Sequence, residues 1–231
     1  MTVPHPHPHE LVPSVAVRPA EGETRAVVLM LHGGRENSMD PTHHRQLAGA
    51  RMVPFAASVA RRGAAGGVAV WSLRYRVRGW NGEQMSPVPD ARWALDRVRQ
   101  EHGDVPVVLV GHSMGGRTAV RVAGDDGVVG VVALAPWLPK AEPFEQLRGR
   151  RLLLAHGTAD RVTSPAASQR YADRAREVAA RVDVVMVGAE THAMVLRWPT
   201  WQRLTTAYVL DLLGLAPLPE RVAEALRRGR I

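Results

Sequence analysis

Short runs of apolar residues recur along the chain, separated by segments in which apolar positions repeat with helical spacing. The runs are rich in valine and leucine and carry few charges. Such runs are typical of strands that are buried on both faces of a sheet. The predicted strands are residues 26–31, 68–73, 105–110, 128–134, 151–155 and 182–187, with residues 14–17 as an additional edge strand.

The segments between these runs predict helices. Apolar positions at Ala91, Ala94, Leu95 and Val98 lie on one face of a helix. Strands that alternate with helices favour an α/β fold with a mostly parallel sheet and helices on both faces. The predicted helices are residues 89–102, 114–123, 165–180 and 198–213, followed by a short arginine-rich helix that closes the chain. Residues 54–62 are predicted to be the end of a further helix, which Gly63 terminates.

The length of 231 residues suits one domain with a substantial core. Residues 1–13 are predicted to form a flexible tail, because histidine and proline alternate there and a polyproline-like extended chain is expected. Residues 14–231 form the predicted single domain. The three histidines of the tail are a weak alternative signal for metal binding, and no metal site is predicted.

Composition narrows the possible functions. The absence of cysteine excludes disulfides and thiolate chemistry, and is consistent with a cytoplasmic location. No apolar run is long enough to span a bilayer, so no membrane partner is predicted. The net charge of +8 comes almost entirely from arginine. The arginines are scattered rather than gathered in one run, so no nucleic-acid partner is predicted.

The clearest chemical signal is Gly-His-Ser-Met-Gly at positions 111–115, which follows an apolar run and opens a predicted helix. A serine in this setting lies on a sharp, strained turn that presents its hydroxyl at the edge of the sheet. Glycines are needed two positions before and after it, because larger side chains would collide within the turn. Ser113 is therefore the predicted nucleophile. The alternative is a glycine-bounded turn without chemistry.

His-Gly-Gly-Arg at positions 32–35 follows an earlier apolar run. An enzyme that transfers acyl groups needs two backbone N–H donors for the developing oxyanion, and glycines let the backbone approach the substrate. Met114, the residue after the nucleophile, would supply one donor, and Gly34 or Arg35 would supply the other. The alternative is an ordinary glycine turn.

Two later loops offer an acid and a base. Asp160 ends His-Gly-Thr-Ala-Asp at positions 156–160, and His192 follows the last apolar run. A general base must reach the serine, and a carboxylate fixes the tautomer of that base and stabilises its charged form. Asp160 could instead be a surface turn residue, although Ser164 and Pro165 are better placed to begin the next helix.

Four motifs, in this order along the chain, resemble those of the α/β-hydrolase superfamily. They are Leu-His-Gly-Gly at 31–34, Gly-His-Ser-Met-Gly-Gly at 111–116, His-Gly-Thr-Ala-Asp at 156–160 and Thr-His at 191–192. The resemblance covers residues 26–213. It implies a roughly eight-stranded sheet, a triad and an oxyanion hole. The triad would be Ser113, Asp160 and His192, and the oxyanion hole Met114 with Gly34 or Arg35.

Many members of that superfamily insert a helical cap after the sixth strand. Here only residues 136–149 separate two strands, which is too short for a cap domain. The resemblance is therefore to a capless, serine esterase-like member with an open cleft. Trp137 and Trp80 are predicted to line the cleft, with Met194 adding soft apolar surface. The alternative for each tryptophan is ordinary packing.

The predicted function is hydrolysis of a carboxylic ester by two-step acyl transfer, without a metal or organic cofactor. The expected partner is a small-molecule acyl ester or thioester. A thioesterase or an acyltransferase would use the same residues. A non-catalytic ligand-binding protein on the same fold is the alternative from another class. The serine motif is shared by esterases, thioesterases, haloperoxidases and C–C hydrolases, so it implies the machinery and not the substrate.

Overall fold

The computed structural model describes residues 11–43 and 46–231, so most of the predicted tail lies outside the described residues. One seven-stranded sheet runs through the described part, in the order β1-β3-β2-β4-β5-β6-β7. β1 pairs antiparallel with β3, and every other pair is parallel. The strands are β1 Ser14–Arg18, β2 Ala26–Leu31, β3 Val68–Arg74, β4 Val107–His112, β5 Val128–Leu134, β6 Arg151–Gly157 and β7 Arg181–Val187.

Helices connect the parallel strands and cover both faces of the sheet. They are α1 Leu47–Gly63, α2 Pro87–His102, α3 Met114–Arg121, α4 Pro165–Ala175, α5 Trp198–Leu212 and α6 Glu220–Arg228. The mostly parallel sheet with helices on both faces is confirmed. The chain leaves α4 earlier than predicted and enters the turn that leads to β7, where Ala180 N–H donates to Arg150 O.

The structure supplies the beginning of the helix whose end the sequence predicts at residues 54–62. α1 begins at Leu47, holds Pro54 in its interior and ends at Gly63. Met52, Phe55 and Val59 on one face of α1 are buried against the sheet. This packing offsets the cost of a proline inside a helix.

Two apolar cores lie on opposite faces of the sheet. Successive residues of a strand point to opposite faces, so Leu29 and Leu109 enter the core under α2 and α3. Val28 and Val110 enter the core under α1 and α5. Burial on both sides explains why the central strands are continuous apolar runs.

The sheet has seven strands where the resemblance implied about eight. The edge beside β7 is covered by the last residues of the chain, which follow α6. Met186 N–H donates to Gly229 O at 2.9 Å, and Ile231 N–H donates to Met186 O at 3.0 Å. These bonds satisfy backbone groups that an open edge strand would leave unpaired.

No cap domain is present between β5 and β6. That connection contains a single short 3-10 turn, Glu145–Leu147, so the carboxyl edge of the sheet is not covered by an inserted helical unit. Within residues 11–43 and 46–231, no helix has the length and apolar character needed to cross a membrane.

Candidate active site

The predicted site residues follow four parallel strands of one sheet. Gly34 follows β2, Ser113 follows β4, Asp160 follows β6 and His192 follows β7. The carboxyl ends of parallel strands meet at one edge of a sheet, which is where ligands bind in folds of this class. The topology therefore brings four loops that are distant in sequence to the same place.

Ser113 lies on a strained turn between β4 and α3. Its φ of 57° and ψ of −119° are rare for a residue with a side chain. A Cβ atom on Gly111 would lie 2.2 Å from the carbonyl oxygen of Gly115, and one on Gly115 would lie 2.1 Å from Leu31 O. Both glycines are thus required by the backbone itself, as the sequence pattern predicts.

Ser113, His192 and Asp160 form a continuous chain of contacts. His192 Nε2 lies 3.0 Å from Ser113 Oγ, and His192 Nδ1 lies 2.8 Å from Asp160 Oδ2. Both distances are within hydrogen-bonding range. This arrangement allows a proton to move from the hydroxyl to the imidazole while the carboxylate holds the ring in place.

The carboxylate of Asp160 accepts several hydrogen bonds in addition to that from His192. Its Oδ1 accepts the backbone N–H groups of Val162 at 2.8 Å and Thr163 at 3.0 Å. Burial acts to raise the pKa of Asp160, but these hydrogen bonds and the contact with His192 outweigh it, so the pKa lies below its usual value. The group is ionised at neutral pH.

Thr163 and His156 belong to the same cluster, although the sequence pattern does not predict their contacts with Asp160. Thr163 Oγ1 lies 2.9 Å from Asp160 Oδ2 and 3.1 Å from His192 Nδ1. His156 Nε2 lies 3.2 Å from Asp160 Oδ2, and its Nδ1 lies 2.8 Å from Ser168 Oγ. Burial lowers the pKa of His156, so its imidazole is neutral at pH 7 and adds no positive charge beside Asp160.

His112 supports the loop that carries His192. Its Nε2 lies 3.0 Å from the backbone oxygen of His192, and the two rings are 4.7 Å apart. Burial lowers the pKa of His112 to about 3, with smaller contributions from the charges of His192 and Arg51. A neutral ring that contacts a carbonyl oxygen must carry its proton on that nitrogen, so His112 Nε2–H is the donor.

The loop after β2 packs directly on the nucleophile turn. A Cβ on Gly33 would lie 3.3 Å from Ser113 Cβ, and one on Gly34 would lie 2.4 Å from Met114 Cε. Met114 is the first residue of α3, where backbone N–H groups have no acceptor within the helix. Met114 and Gly34 therefore lie on neighbouring walls beside Ser113.

Arg35 is less suited than Gly34 to donate to an oxyanion. Its backbone N–H donates to Arg78 O at 2.9 Å, in a short parallel bridge between the loops after β2 and β3. An N–H that already has a protein acceptor is not free for a substrate oxygen. Of the two residues that the sequence offers as the second oxyanion donor, Gly34 is therefore the better candidate.

Two of the three residues predicted to line the cleft are interior. Trp80 is 2% exposed and Met194 is 3% exposed, and each packs in one of the two cores. Trp137 is only partly buried and meets Trp80 edge to face at 6.0 Å. Trp137 therefore keeps some exposed surface, whereas Trp80 packs against it from the interior.

A protein-family model described as the alpha/beta hydrolase family matches residues 28–230. The chain belongs to the alpha/beta hydrolase family. The match spans most of the sheet, every helix described above and all four loops of the site. Membership supports a hydrolase activity. None of the curated protein sequences matches this hydrolase.

Several solved structures share the fold of this hydrolase at low sequence identity. An alpha-beta serine hydrolase homologue from Coxiella burnetii is 17% identical with a TM-score of 0.64, covering 85% of this chain and 91% of that one. Est1E from Butyrivibrio proteoclasticus with ferulic acid bound is 12% identical, with a TM-score of 0.66 and coverages of 87% and 96%. Esterase 2 from Thermogutta terrifontis, phosphorylated by paraoxon, is 17% identical, with a TM-score of 0.67 and coverages of 89% and 91%.

Proposed function

We propose that this protein is a serine hydrolase that cleaves a carboxylic ester by two-step acyl transfer. Ser113 is the nucleophile, His192 the general base and acid, and Asp160 the carboxylate that orients His192. The observation that carries the proposal is the unbroken chain of contacts from Ser113 Oγ through the imidazole to a hydrogen-bonded carboxylate.

In the first step, Ser113 Oγ attacks the acyl carbon while His192 Nε2 takes the hydroxyl proton. The carbonyl oxygen becomes an oxyanion, which accepts hydrogen bonds from the backbone N–H groups of Met114 and Gly34. Asp160 remains ionised and stabilises the imidazolium. The tetrahedral intermediate then expels the alcohol, which leaves with the proton from His192.

In the second step, water replaces the alcohol. His192 takes a proton from the water as its oxygen attacks the acyl-enzyme, and a second oxyanion forms on the same two donors. Ser113 leaves with the proton returned by His192, and the carboxylic acid is released. The enzyme regains its starting protonation state without any other reactant.

An ester is the proposed substrate because the structural neighbours point to that class. Est1E from Butyrivibrio proteoclasticus binds ferulic acid, and esterase 2 from Thermogutta terrifontis has been solved with butyrate bound. The connection between β5 and β6 forms no cap over the carboxyl edge. We therefore propose small to moderately sized esters that enter an open cleft.

The nucleophile is tested with a fluorophosphonate, which reacts covalently with activated serines. We expect one adduct, at Ser113, and expect Ser113→Ala to lose it. Turnover of p-nitrophenyl acetate should fall by roughly four orders of magnitude or more in that variant. The matched control is Ser164→Ala at the N-terminus of α4, outside the site, which should keep both properties. An adduct elsewhere, or full turnover by Ser113→Ala, would refute the proposal.

Hydrolysis is separated from acyl transfer by product analysis. The same ester is supplied with and without added alcohol or amine, and the acid and transfer products are quantified. A hydrolase gives mainly acid at every acceptor concentration. Dominant transfer product at low acceptor concentration would contradict the assignment to hydrolysis while leaving the nucleophile intact.

A further inference from the structure

The guanidinium of Arg117 contacts two tryptophan rings beside the nucleophile turn. It is 3.8 Å from the ring centre of Trp80 and 4.5 Å from that of Trp137, distances at which a cation and an aromatic face attract each other. Arg117 Nε donates to Glu142 Oε2 at 2.5 Å, and Glu142 is buried. The guanidinium is therefore held by two nearly perpendicular rings and by a buried carboxylate.

Each tryptophan is hydrogen-bonded through its backbone N–H to a different loop of the site. The backbone N–H of Trp137 donates to Ser113 O at 3.1 Å, and so does the backbone N–H of Arg117. The backbone N–H of Trp80 donates to Arg35 O at 2.9 Å, next to Gly34 in sequence. Arg117 thus connects the nucleophile turn to the loop that carries Gly34.

Stability alone is a weak explanation for this cluster. Burial acts to lower the pKa of Arg117, which reflects the cost of removing its charge from water, and the charge of Glu142 opposes that effect. Buried ion pairs are often no more stabilising than well-packed apolar residues of similar size. A guanidinium offers instead a rigid group with donors at its edge, which fixes the position of the rings and the carboxylate in contact with it.

We propose that Arg117 is a positioning residue that sets the distance between the Gly34 N–H and Ser113 by holding the rings of Trp80 and Trp137. The proposal rests on the serine-hydrolase function proposed above. An error in that distance weakens hydrogen bonds to the oxyanion, which exists only after the attack. A change in that distance therefore raises the free energy of the transition state and leaves that of the bound ester unchanged.

Arg117→Met tests this inference, with Arg121→Met as the matched control. Arg121 lies on the same helix and pairs with the other oxygen of Glu142, but no tryptophan stacking is found for it among the described residues. Active sites are counted by fluorophosphonate labelling taken to completion, so that unfolded protein does not contribute. We expect kcat per active site to fall by at least about tenfold in Arg117→Met, with KM changed by less than about threefold. Arg121→Met should stay within about twofold of the wild type.

A second readout separates positioning from a general loss of packing. The inhibition constant of a trifluoromethyl ketone, which forms a tetrahedral adduct with an oxyanion, should rise by the same factor as kcat/KM falls. The midpoint of the pH–kcat/KM profile should not move, because the contacts between Ser113 and His192 are intact. Arg117→Lys should lie between the wild type and Arg117→Met, because an ammonium keeps the charge but not the plane.

Three outcomes would overturn the inference. They are a wild-type kcat per active site in Arg117→Met, an equal loss in Arg121→Met, or a kcat loss without a matching loss of ketone affinity. If Arg117→Met is insoluble, Arg117→Lys carries the test, and wild-type values for it would also overturn the inference. Failure of the serine-hydrolase proposal is seen separately, as a wild-type protein that is neither labelled at Ser113 nor active.

Discussion

Gly34 is required by its surroundings and not by its own backbone angles. A side chain there would meet the sulfur and terminal methyl of Met114 and the carbonyl oxygen of Arg78. Met114 can shift, but the backbone of Arg78 is held by its bond to Arg35 N–H. The close approach that excludes a side chain at Gly34 also packs the loop after β2 against Met114, next to Ser113.

Gly34→Ala should therefore lower kcat by about tenfold to a hundredfold, because the added methyl pushes the loop away from the nucleophile turn. Gly49→Ala is the matched control. It lies within α1, where an added Cβ meets nothing within 4 Å, and it should stabilise the protein by about 0.5–1 kcal/mol. The measurements are ester turnover and urea unfolding. Unchanged turnover in Gly34→Ala would argue against Gly34 as an oxyanion donor.

The connection from β7 to α5 carries His192, and the buried carboxylate of Glu190 holds it at both ends. Glu190 Oε1 accepts the N–H of Thr191 at 2.8 Å, and Oε2 accepts the N–H of Arg197 at 2.6 Å. Its own carbonyl oxygen accepts the N–H of Ala159 at 2.9 Å, in the loop that carries Asp160. One residue thus connects the loops of the acid and the base.

Glu190→Ala should destabilise this connection, because it leaves two partly buried N–H groups without their charged acceptor. We expect the free energy of unfolding to fall by about 2–4 kcal/mol, with a loss of kcat as His192 moves away from Ser113. Urea unfolding and ester turnover measure the two effects. The control is Glu177→Ala, an exposed residue after α4, which should change neither. Wild-type stability in Glu190→Ala would contradict this role.

Among the residues that the structure describes, three buried histidines have pKa values that burial lowers, namely His32, His112 and His156. The folded protein holds them neutral, whereas the unfolded chain takes up protons below about pH 6.5. The unfolded state therefore binds more protons in this range, and stability decreases as the pH falls.

We expect the free energy of unfolding to be nearly constant from pH 8 to 7 and to decline below about pH 6.5. Each buried histidine contributes up to about 1.4 kcal/mol per pH unit until its folded-state pKa is reached. For His112 that limit is about 3. Urea unfolding at several pH values gives the slope. His156→Gln should reduce the slope, because it removes one of the histidines that only the unfolded chain protonates in this range. A profile that is flat from pH 8 to 5 would contradict the expectation.

The order of strands and helices was readable from the amino-acid pattern because burial on both faces forces a strand to be apolar throughout. The nucleophile turn was equally readable, since the glycines around Ser113 are dictated by contacts within a few residues. Asp160 and His192 could be proposed because parallel strands bring their carboxyl ends to one edge. The motif that identifies each of these features spans only a few neighbouring residues.

Other features depend on partners far away in the chain. The N–H of Arg35 is engaged by Arg78, Trp80 lies behind Trp137 instead of lining the cleft, and Glu190 bridges two loops. Nothing in the spacing around these residues indicates which group will face them, because side-chain partners are set by how distant segments pack. The local sequence determines which backbone conformations are possible, whereas tertiary packing determines which polar groups come into contact.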